Sequence, residues 1–242
     1  EGAPVHENIA RQFGCNLYLS RLAEHGIDTT EAMANLTADN YWESAKEALA
    51  IGRKLGEKVI LMGTSTGGTL ALKLAAEYPD VYALVLMSPN IEIDDPNAWL
   101  LNNPWGLQIA RLVKGSKFND SKSDTRPVYL QYWQPRYRLE AAVALEELLE
   151  TSMTPSTFHR VDQPTLVMYY YKDDVQRDSV VRVSAIKKMY EELGTTPEKK
   201  RAIAIPNAGN HVIGSWIKSK DVESVERETA KFLSEVLQLP KQ

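Results

Sequence analysis

A glycine-flanked serine between a predicted strand and a predicted helix constrains the fold of this chain more than any other feature. The apolar run Lys58–Met62 is typical of a buried strand, and the run Gly68–Tyr78 is typical of a helix that stops before Pro79. The sequence between them is Gly-Thr-Ser-Thr-Gly, residues 63–67. In such a turn the serine backbone is strained and its hydroxyl stands clear, while glycines avoid Cβ collisions with the strand and helix. The alternative is an ordinary glycine-rich turn, but the flanking segments favour a nucleophile elbow with Ser65 as nucleophile.

Strand-like and helical segments alternate along most of the chain. Apolar strands separated by helices indicate a mostly parallel sheet with helices on both faces. We expect this α/β core to comprise residues 1–90 and 161–242. The expected helices cover residues 4–13, 37–55, 68–78, 179–193 and 222–237, and the expected strands cover 15–22, 58–62, 81–87, 165–170 and 201–205.

Residues 91–160 interrupt this alternation. They are rich in Pro, Asn, Asp and aromatic residues, and helical pieces are expected at 106–114 and 139–152. An insertion at this point would lie above the carboxyl ends of the strands, where ligands bind in open α/β sheets. We therefore expect a cap that contributes an apolar pocket, although the aromatic residues of a plain helical excursion would only pack on the core. The candidate substrate-binding residues are Trp99, Trp105, Tyr132, Trp133 and Tyr137.

A serine nucleophile needs a general base, and two histidines follow Ser65 in the chain. A base in this fold is expected after the acid, on a loop at the carboxyl end of a strand. His159 precedes a predicted strand, which places it at the opposite end of the sheet. His211 follows the predicted strand 201–205 across a short loop. The pattern therefore predicts His211 as the base.

The base in turn needs an orienting carboxylate, expected just past the strand that begins at Thr165. Asp173 and Asp174 are adjacent there, and Asp178 follows slightly later. Neighbouring residues point in different directions, so only one of them is expected to reach His211. Counting along the strand favours Asp173, with Asp174 and Asp178 as the open alternatives.

The composition narrows the range of partners and cofactors. A net charge of −4 over 242 residues argues against nucleic-acid binding. No apolar run approaches the roughly 18 residues of a membrane span. Cys15 is the single cysteine, so an internal disulfide and a cysteine-based zinc site are excluded, and the four histidines lack metal-site spacing. We expect no metal and no cofactor. A single cysteine is typical of a reducing compartment, so a cytoplasmic location is favoured, with export left open.

Several segments together resemble one known family. Residues 63–68 read Gly-Thr-Ser-Thr-Gly-Gly, residues 164–167 read Pro-Thr-Leu-Val ahead of Lys172-Asp173, and residues 210–213 read Asn-His-Val-Ile. Residues 21–26, Arg-Leu-Ala-Glu-His-Gly, are similar to a loop whose histidine, here His25, is structural in the family. The chain thus resembles the α/β-hydrolase family, in its carboxylesterase, monoacylglycerol lipase and lysophospholipase-like branch. The resemblance implies an α/β-hydrolase fold with a helical cap insertion and no cofactor.

The resemblance also implies a strand that precedes the first helix and lies between the 15–22 and 58–62 strands. We expect that this strand comes from an upstream segment or another chain, and that a gap about two strand spacings wide, roughly 9–10 Å, separates the two neighbours. The family's oxyanion hole uses the residue after the nucleophile and the loop after that strand. This implies the backbone N–H of Thr66 and, near the start of the chain, that of Gly2.

The sequence therefore predicts a serine hydrolase that cleaves small-molecule carboxylic esters with a hydrophobic acyl or aryl group. A serine peptidase or amidase of the same fold is one alternative, since Glu92, Asp94 and Asp95 offer carboxylates for a substrate amino group. A non-catalytic ligand-binding protein with a hydrolase fold is another. The sequence does not indicate the oligomeric state.

Overall fold

The computed structural model describes residues 2–26, 30–120 and 124–242; Glu1, at the chain start considered above, lies outside this range. Within these residues a central sheet of four parallel strands has the order β1-β2-β5-β6. A separate antiparallel pair joins β3 and β4. In chain order the elements are α1 (Ala3–Phe13), α2 (Ala38–Leu55), β1 (Ile60–Thr64), α3 (Thr66–Glu77), β2 (Ala83–Met87), α4 (Gly106–Lys114), β3 (Phe118–Asp120), α5 (Pro127–Leu130), β4 (Arg136–Arg138), α6 (Glu140–Ser152), α7 (Pro155–His159), β5 (Thr165–Tyr169), α8 (Val183–Glu192), β6 (Lys200–Ala204) and α9 (Val222–Glu235).

The two inner strands of the sheet form its buried centre. Every residue of β2 and β5 is buried, as expected for parallel strands that are covered on both faces. Side chains alternate along β2: Leu84 and Leu86 pack in a core with α2, α3 and α8, whereas Val85 and Met87 pack in a second core with α1 and α9. The sheet therefore has helices on both faces, as the sequence predicts.

Local signals in the sequence explain where several helices begin and end. The left-handed Gly14 ends α1, and Thr37 with Asn40 forms a capping box at the start of α2. α4 has the bounds predicted from the sequence. The helices of the described residues are all too short or too polar to cross a membrane.

The predicted strand at residues 15–22 is wrong. The segment has no regular structure, and Leu17, Tyr18 and Leu19 are 39%, 44% and 47% exposed. A strand needs a partner for its backbone groups, and in the described part of the chain β1 pairs with β2 alone. A cavity of about 430 Å³ lies between residues 15–22 and β1, with apolar side chains along most of its wall. No ladder joins the two segments, and the width of the expected gap stays a prediction.

The segment of residues 91–160, called the insertion below, lies between β2 and β5 along the chain. It contains α4 to α7 and the β3–β4 pair. α6 packs on α2 and α3, so the insertion is attached to the same face of the sheet as those helices. The α/β organisation of the chain continues after it with β5.

Candidate functional site

Ser65 lies at the tip of β1 in a strained conformation. Its φ is 54° and its ψ is −120°, a region that non-glycine residues rarely adopt. Its N–H donates to the carbonyl of Met87 at 3.0 Å, and its own carbonyl accepts from the N–H groups of Gly68 at 2.9 Å and Asn90 at 3.0 Å. These bonds attach the serine backbone to β2 and to the first turn of α3, and they stabilise its strained conformation.

Two of the surrounding glycines are required by close contacts. A Cβ on Gly63 would lie 2.4 Å from the backbone of Gly67, and a Cβ on Gly68 would lie 2.7 Å from Cβ of Pro89. A Cβ on Gly67 would meet nothing within 4 Å. The sequence argument that a side chain would collide with the adjacent strand and helix thus holds at Gly63 and Gly68 and fails at Gly67.

His211 follows β6 on a loop, as expected, and its partner is Asp178. Its Nδ1 lies 2.7 Å from Oδ2 of Asp178, and the two side chains are 9% and 0% exposed. The other oxygen of Asp178 accepts from the N–H groups of Val180 at 2.9 Å and Val181 at 3.2 Å. A carboxylate that accepts from Nδ1–H leaves Nε2 of the imidazole as the proton acceptor.

Asp173, the acid favoured by the sequence, does not contact His211. Its side chain is exposed and accepts from the N–H groups of Val175 at 2.9 Å and Gln176 at 2.7 Å. These two hydrogen bonds lower the pKa of the Asp173 carboxyl. Asp174 accepts from the Tyr171 hydroxyl at 2.9 Å. Neither residue is placed to orient His211.

The reason for this error is a short excursion of the chain. Tyr171 and Arg177 form an antiparallel bridge, so residues 171–177 leave the sheet and return. The N–H of Asp178 then donates to the carbonyl of Tyr170 at 3.0 Å. In space, Asp178 therefore comes directly after the end of β5, although it lies nine positions beyond Tyr169 in the sequence.

A second segment of chain supports the loop that carries Asp178. The N–H of Asp94 donates to the carbonyl of Val180 at 3.0 Å, and the N–H of Arg182 donates to the carbonyl of Glu92 at 2.8 Å. Nη1 of Arg177 lies 3.0 Å from the Asp94 carboxylate. The loop after β2, which is bonded to Ser65 through Asn90, is thus also bonded to the acid loop.

The His211 loop reaches back toward the end of β2. A Cβ on Gly214 would lie 2.9 Å from Sδ of Met87, whose carbonyl accepts from Ser65, and 3.4 Å from Cα of Gly2. Nε2 of His211 is buried and has no hydrogen-bond partner in the part of the chain that the structure describes. No hydrogen bond joins it to the Ser65 hydroxyl here. The topology nevertheless brings both residues to the carboxyl end of one sheet, where Met87 lies next to the Ser65 backbone and next to Gly214 of the His211 loop.

The two predicted oxyanion donors occupy different settings. Thr66 is the first residue of α3, where the helix leaves its N–H groups without intrahelical partners. Gly2 is buried beside Met87, and its carbonyl accepts from the N–H of His6 at 3.2 Å. Both roles remain predictions.

The aromatic residues assigned to a pocket are mostly directed to solvent. Trp99, Trp105 and Tyr132 are 56%, 74% and 66% exposed. Trp133 stacks on Tyr129, and the Tyr137 hydroxyl accepts from Asn119 at 2.7 Å. The three cavities described for this structure are lined by other residues, so an acyl pocket built from these five stays a prediction. His25 stacks on Tyr41 and contacts its hydroxyl and the Ala23 carbonyl, which are structural contacts.

Comparison with known proteins places this architecture in one family. The family model described as serine aminopeptidase, S33, matches residues 37–211. Among solved structures, one of the metagenome-derived lipolytic enzymes LipS and LipT superposes with a TM-score of 0.73 at 20% identity, covering 96% of this chain and 87% of that chain.

Two monoacylglycerol lipases also match. The enzyme of Paleococcus ferrophilus has a TM-score of 0.59 at 16% identity, covering 82% of this chain and 75% of its own. A soluble variant of the Saccharomyces cerevisiae enzyme has a TM-score of 0.58 at 15% identity, covering 88% and 73%. No curated protein matches this sequence significantly. At these identities the solved structures establish the fold.

Proposed function

Because this chain belongs to the α/β-hydrolase family described as serine aminopeptidase, S33, we propose that it is a serine hydrolase of carboxylic esters. The observation that carries the proposal is the pair of buried side chains, His211 and Asp178, at the end of the sheet where Ser65 lies strained. An imidazole that is fixed at Nδ1 by a carboxylate and free at Nε2 is the arrangement that general-base catalysis by a serine requires. Lipolytic enzymes among the structural neighbours make an ester the favoured substrate.

The proposed reaction has two halves. Ser65 Oγ attacks the acyl carbon while its proton passes to Nε2 of His211, which then gives the proton to the leaving alcohol. Water, deprotonated by the same nitrogen, attacks the acyl-enzyme, and the imidazolium then gives that proton to Ser65 Oγ as the bond to the acyl group breaks and the acid leaves. Asp178 keeps Nδ1 protonated and stabilises the imidazolium in both halves. The N–H of Thr66, with Gly2 as the proposed second donor, would stabilise the oxyanion by about 3 kcal/mol per donor.

A Ser–His hydrogen bond is not needed in the resting structure for this assignment. Catalytic hydrogen bonds are often long without substrate and shorten in the reacting complex. The burial of Nε2 without a partner is consistent with that, because an unpaired buried polar atom costs free energy that a later contact recovers.

The peptidase alternative receives support from one residue. Among the carboxylates proposed for binding an amino group, Glu92 and Asp94 already pair with Arg182 and Arg177. Glu146 of α6, in contrast, is 6% exposed, and its Oε2 has no hydrogen-bond partner within the described ranges. Burial, together with the charges of Glu150 and Glu92, raises its pKa to about 6. A substrate ammonium group would compensate this buried carboxyl.

Active-site labelling tests the proposal directly. We expect a fluorophosphonate probe to form one adduct, on Ser65, and Ser65→Ala to remove both the adduct and ester turnover while leaving the fold intact. Ser215→Ala is the control and should label normally, because Ser215 is buried and outside the turn. Peptide mass spectrometry that locates the adduct on Ser88 or Ser215 would contradict the assignment. A higher kcat/KM on aminoacyl anilides than on matched esters, lost in Glu146→Gln, would favour the peptidase.

A further inference from the structure

The 171–177 excursion comes immediately before the buried Asp178 and is exposed to solvent at its tip. Val175 is 91% exposed, and the Asp173 carboxylate accepts from the N–H groups of Val175 and Gln176. These hydrogen bonds stay within the excursion and do not attach it to the sheet. Motion of an exposed segment of this kind would be passed on to Asp178 unless the chain is held where the excursion ends.

Arg177, the last residue of the excursion, is placed to hold the chain at that point. Its Nη1 donates to Oδ2 of Asp94 at 3.0 Å and lies 3.4 Å from the main-chain carbonyl of Asp178. On the other side, the N–H of Asp178 donates to the carbonyl of Tyr170 at 3.0 Å. The peptide groups on both sides of the Asp178 Cα are therefore held, one by the end of β5 and the other by a guanidinium. Both contacts affect where the carboxylate points, because side-chain rotamers depend on the backbone dihedrals.

The segment that follows β2 holds the Asp94 carboxylate in place. The N–H of Asn90 in this segment donates to the carbonyl of Ser65 at 3.0 Å, and the N–H of Asp94 donates to the carbonyl of Val180 at 3.0 Å. The Asp94 side chain is 18% exposed. Arg177 thus joins the backbone of the acid to a carboxylate whose own segment is bonded to the nucleophile.

Arg182 crosses the same contact between the two segments and allows a comparison with Arg177. The two arginine side chains are 32% and 35% exposed. Arg182 pairs with Glu92 of the segment after β2, and its Nε lies 4.0 Å from Oδ1 of Asp94. Its guanidinium meets this segment, whereas that of Arg177 also meets Asp178. Ion pairs exposed to this degree contribute little by themselves. A difference between the two arginines would therefore come from the contact with Asp178.

We propose that Arg177 is a positioning residue whose guanidinium, held by Asp94, fixes the backbone of Asp178. The Asp178 carboxylate then meets Nδ1 of His211 at 2.7 Å. A guanidinium suits this role because Nη1 carries two N–H groups in a fixed plane, one for each acceptor. Arg177 acts on the reaction through Asp178. Its effect on turnover rests on the proposed hydrolase function, whereas its effect on the Asp178–His211 hydrogen bond does not.

The proton between Nδ1 of His211 and the Asp178 carboxylate gives a readout that needs no catalysis. A short N–H···O hydrogen bond to a buried carboxylate gives a proton NMR resonance far downfield. We expect Arg177→Met to shift this resonance or to broaden it beyond detection. Arg182→Met is the matched control and should leave it as in the unmodified chain. Arg177→Lys, which keeps the charge on a single nitrogen, should cause a smaller shift.

Steady-state hydrolysis of a water-soluble acetate ester measures the consequence for turnover. In Arg177→Met, kcat per site labelled to completion by a fluorophosphonate should fall by about tenfold to a hundredfold, because a misplacement near 1 Å costs about that much. KM should stay within about twofold. Arg182→Met should keep both constants. The double variant with Asp94→Asn should lose no more than Arg177→Met alone, since the two residues act through one contact. Counting labelled sites corrects for any unfolded protein.

Equal effects in the two arginine variants would mean that both ion pairs only stabilise the loop, and would overturn the proposal. An unchanged resonance in Arg177→Met overturns it whatever happens to kcat, and so do additive losses in the double variant. If the unmodified chain neither labels nor hydrolyses the ester while its resonance still depends on Arg177, the hydrolase is rejected and the positioning role stands.

Discussion

At the scale of single residues, the sequence favours Asp173 as the acid of the candidate site, whereas the structure places Asp178 against His211. Asp173 and Asp178 are both aspartates on one loop, yet one is solvent-exposed and bonded to its own turn, and the other is fully buried against His211. Burial matters because a buried carboxylate acts on the imidazole without competition from water. The two residues therefore allow a matched comparison.

We expect Asp178→Asn to lower kcat for ester hydrolysis by a factor approaching 10⁴, because an amide at this position favours the wrong imidazole tautomer. Asp173→Asn should change kcat by less than about threefold, since it loses only hydrogen bonds within a surface turn. Steady-state kinetics of both purified variants, with circular dichroism as the folding control, makes the comparison. The reverse order of effects would return the acid to Asp173.

At the scale of elements, the strand–turn–helix around Ser65 contains two motif glycines whose steric surroundings differ. Gly63 and Gly67 are equivalent in the motif, but only Gly63 lies where a side chain would collide with backbone. Gly67 lies in the first turn of α3, where alanine is a better helix former than glycine. The two positions should therefore respond differently to the same substitution.

Gly63→Ala should destabilise the protein by about 2–4 kcal/mol or prevent its folding, because a Cβ 2.4 Å from the Gly67 backbone forces the turn apart. Gly67→Ala should leave the free energy of unfolding within about 1 kcal/mol of the original value, helped by helix propensity. Urea denaturation of the two variants measures both. A large loss of stability in Gly67→Ala would mean that the turn is tighter in solution than in this structure.

The elements also show which features of the structure could be predicted from the sequence. The bounds of α4, the stop at Gly14 and the settings of Ser65 and His211 follow from local signals, and local signals decide local structure. The identity of the orienting acid did not follow from local signals, because the Tyr171–Arg177 bridge that brings Asp178 to the strand end is a tertiary contact. The 15–22 strand failed for a related reason: strand propensity becomes a strand only where a neighbour accepts its hydrogen bonds. The exposure of Leu112 and Val113 on α4 also has no sequence signal, since periodicity does not tell which side of a helix packs.

At the scale of the whole molecule, the sheet is asymmetric about its buried centre. β2 and β5 have neighbours on both sides, whereas β1 meets β2 on one side and the 430 Å³ cavity on the other. The N–H of Ser65 points to β2, so the alternation of a parallel strand directs the backbone groups of Leu61 and Gly63 to β2 and those of Met62 to the cavity. Nε2 of His6 lies 3.0 Å from the Met62 carbonyl, which agrees with that direction. An apolar strand with such an edge is a site for pairing with another strand.

Amide hydrogen exchange should reveal this asymmetry. In the isolated 242-residue chain the N–H of Met62, directed to the cavity, should exchange at least about tenfold faster than those of its neighbours Leu61 and Gly63. Val85 and Val167, within the two inner strands, are the protected references. Residue-resolved exchange by NMR makes the measurement, and dilution separates any protection that comes from self-association.

Met62 protection equal to that of Val85 at low concentration would mean that the β1 edge is paired within the chain itself, and that the cavity is closed in solution. Slow exchange of Met62 only at high concentration would instead mean that the edges of two copies pair, which is the association that an open apolar edge favours.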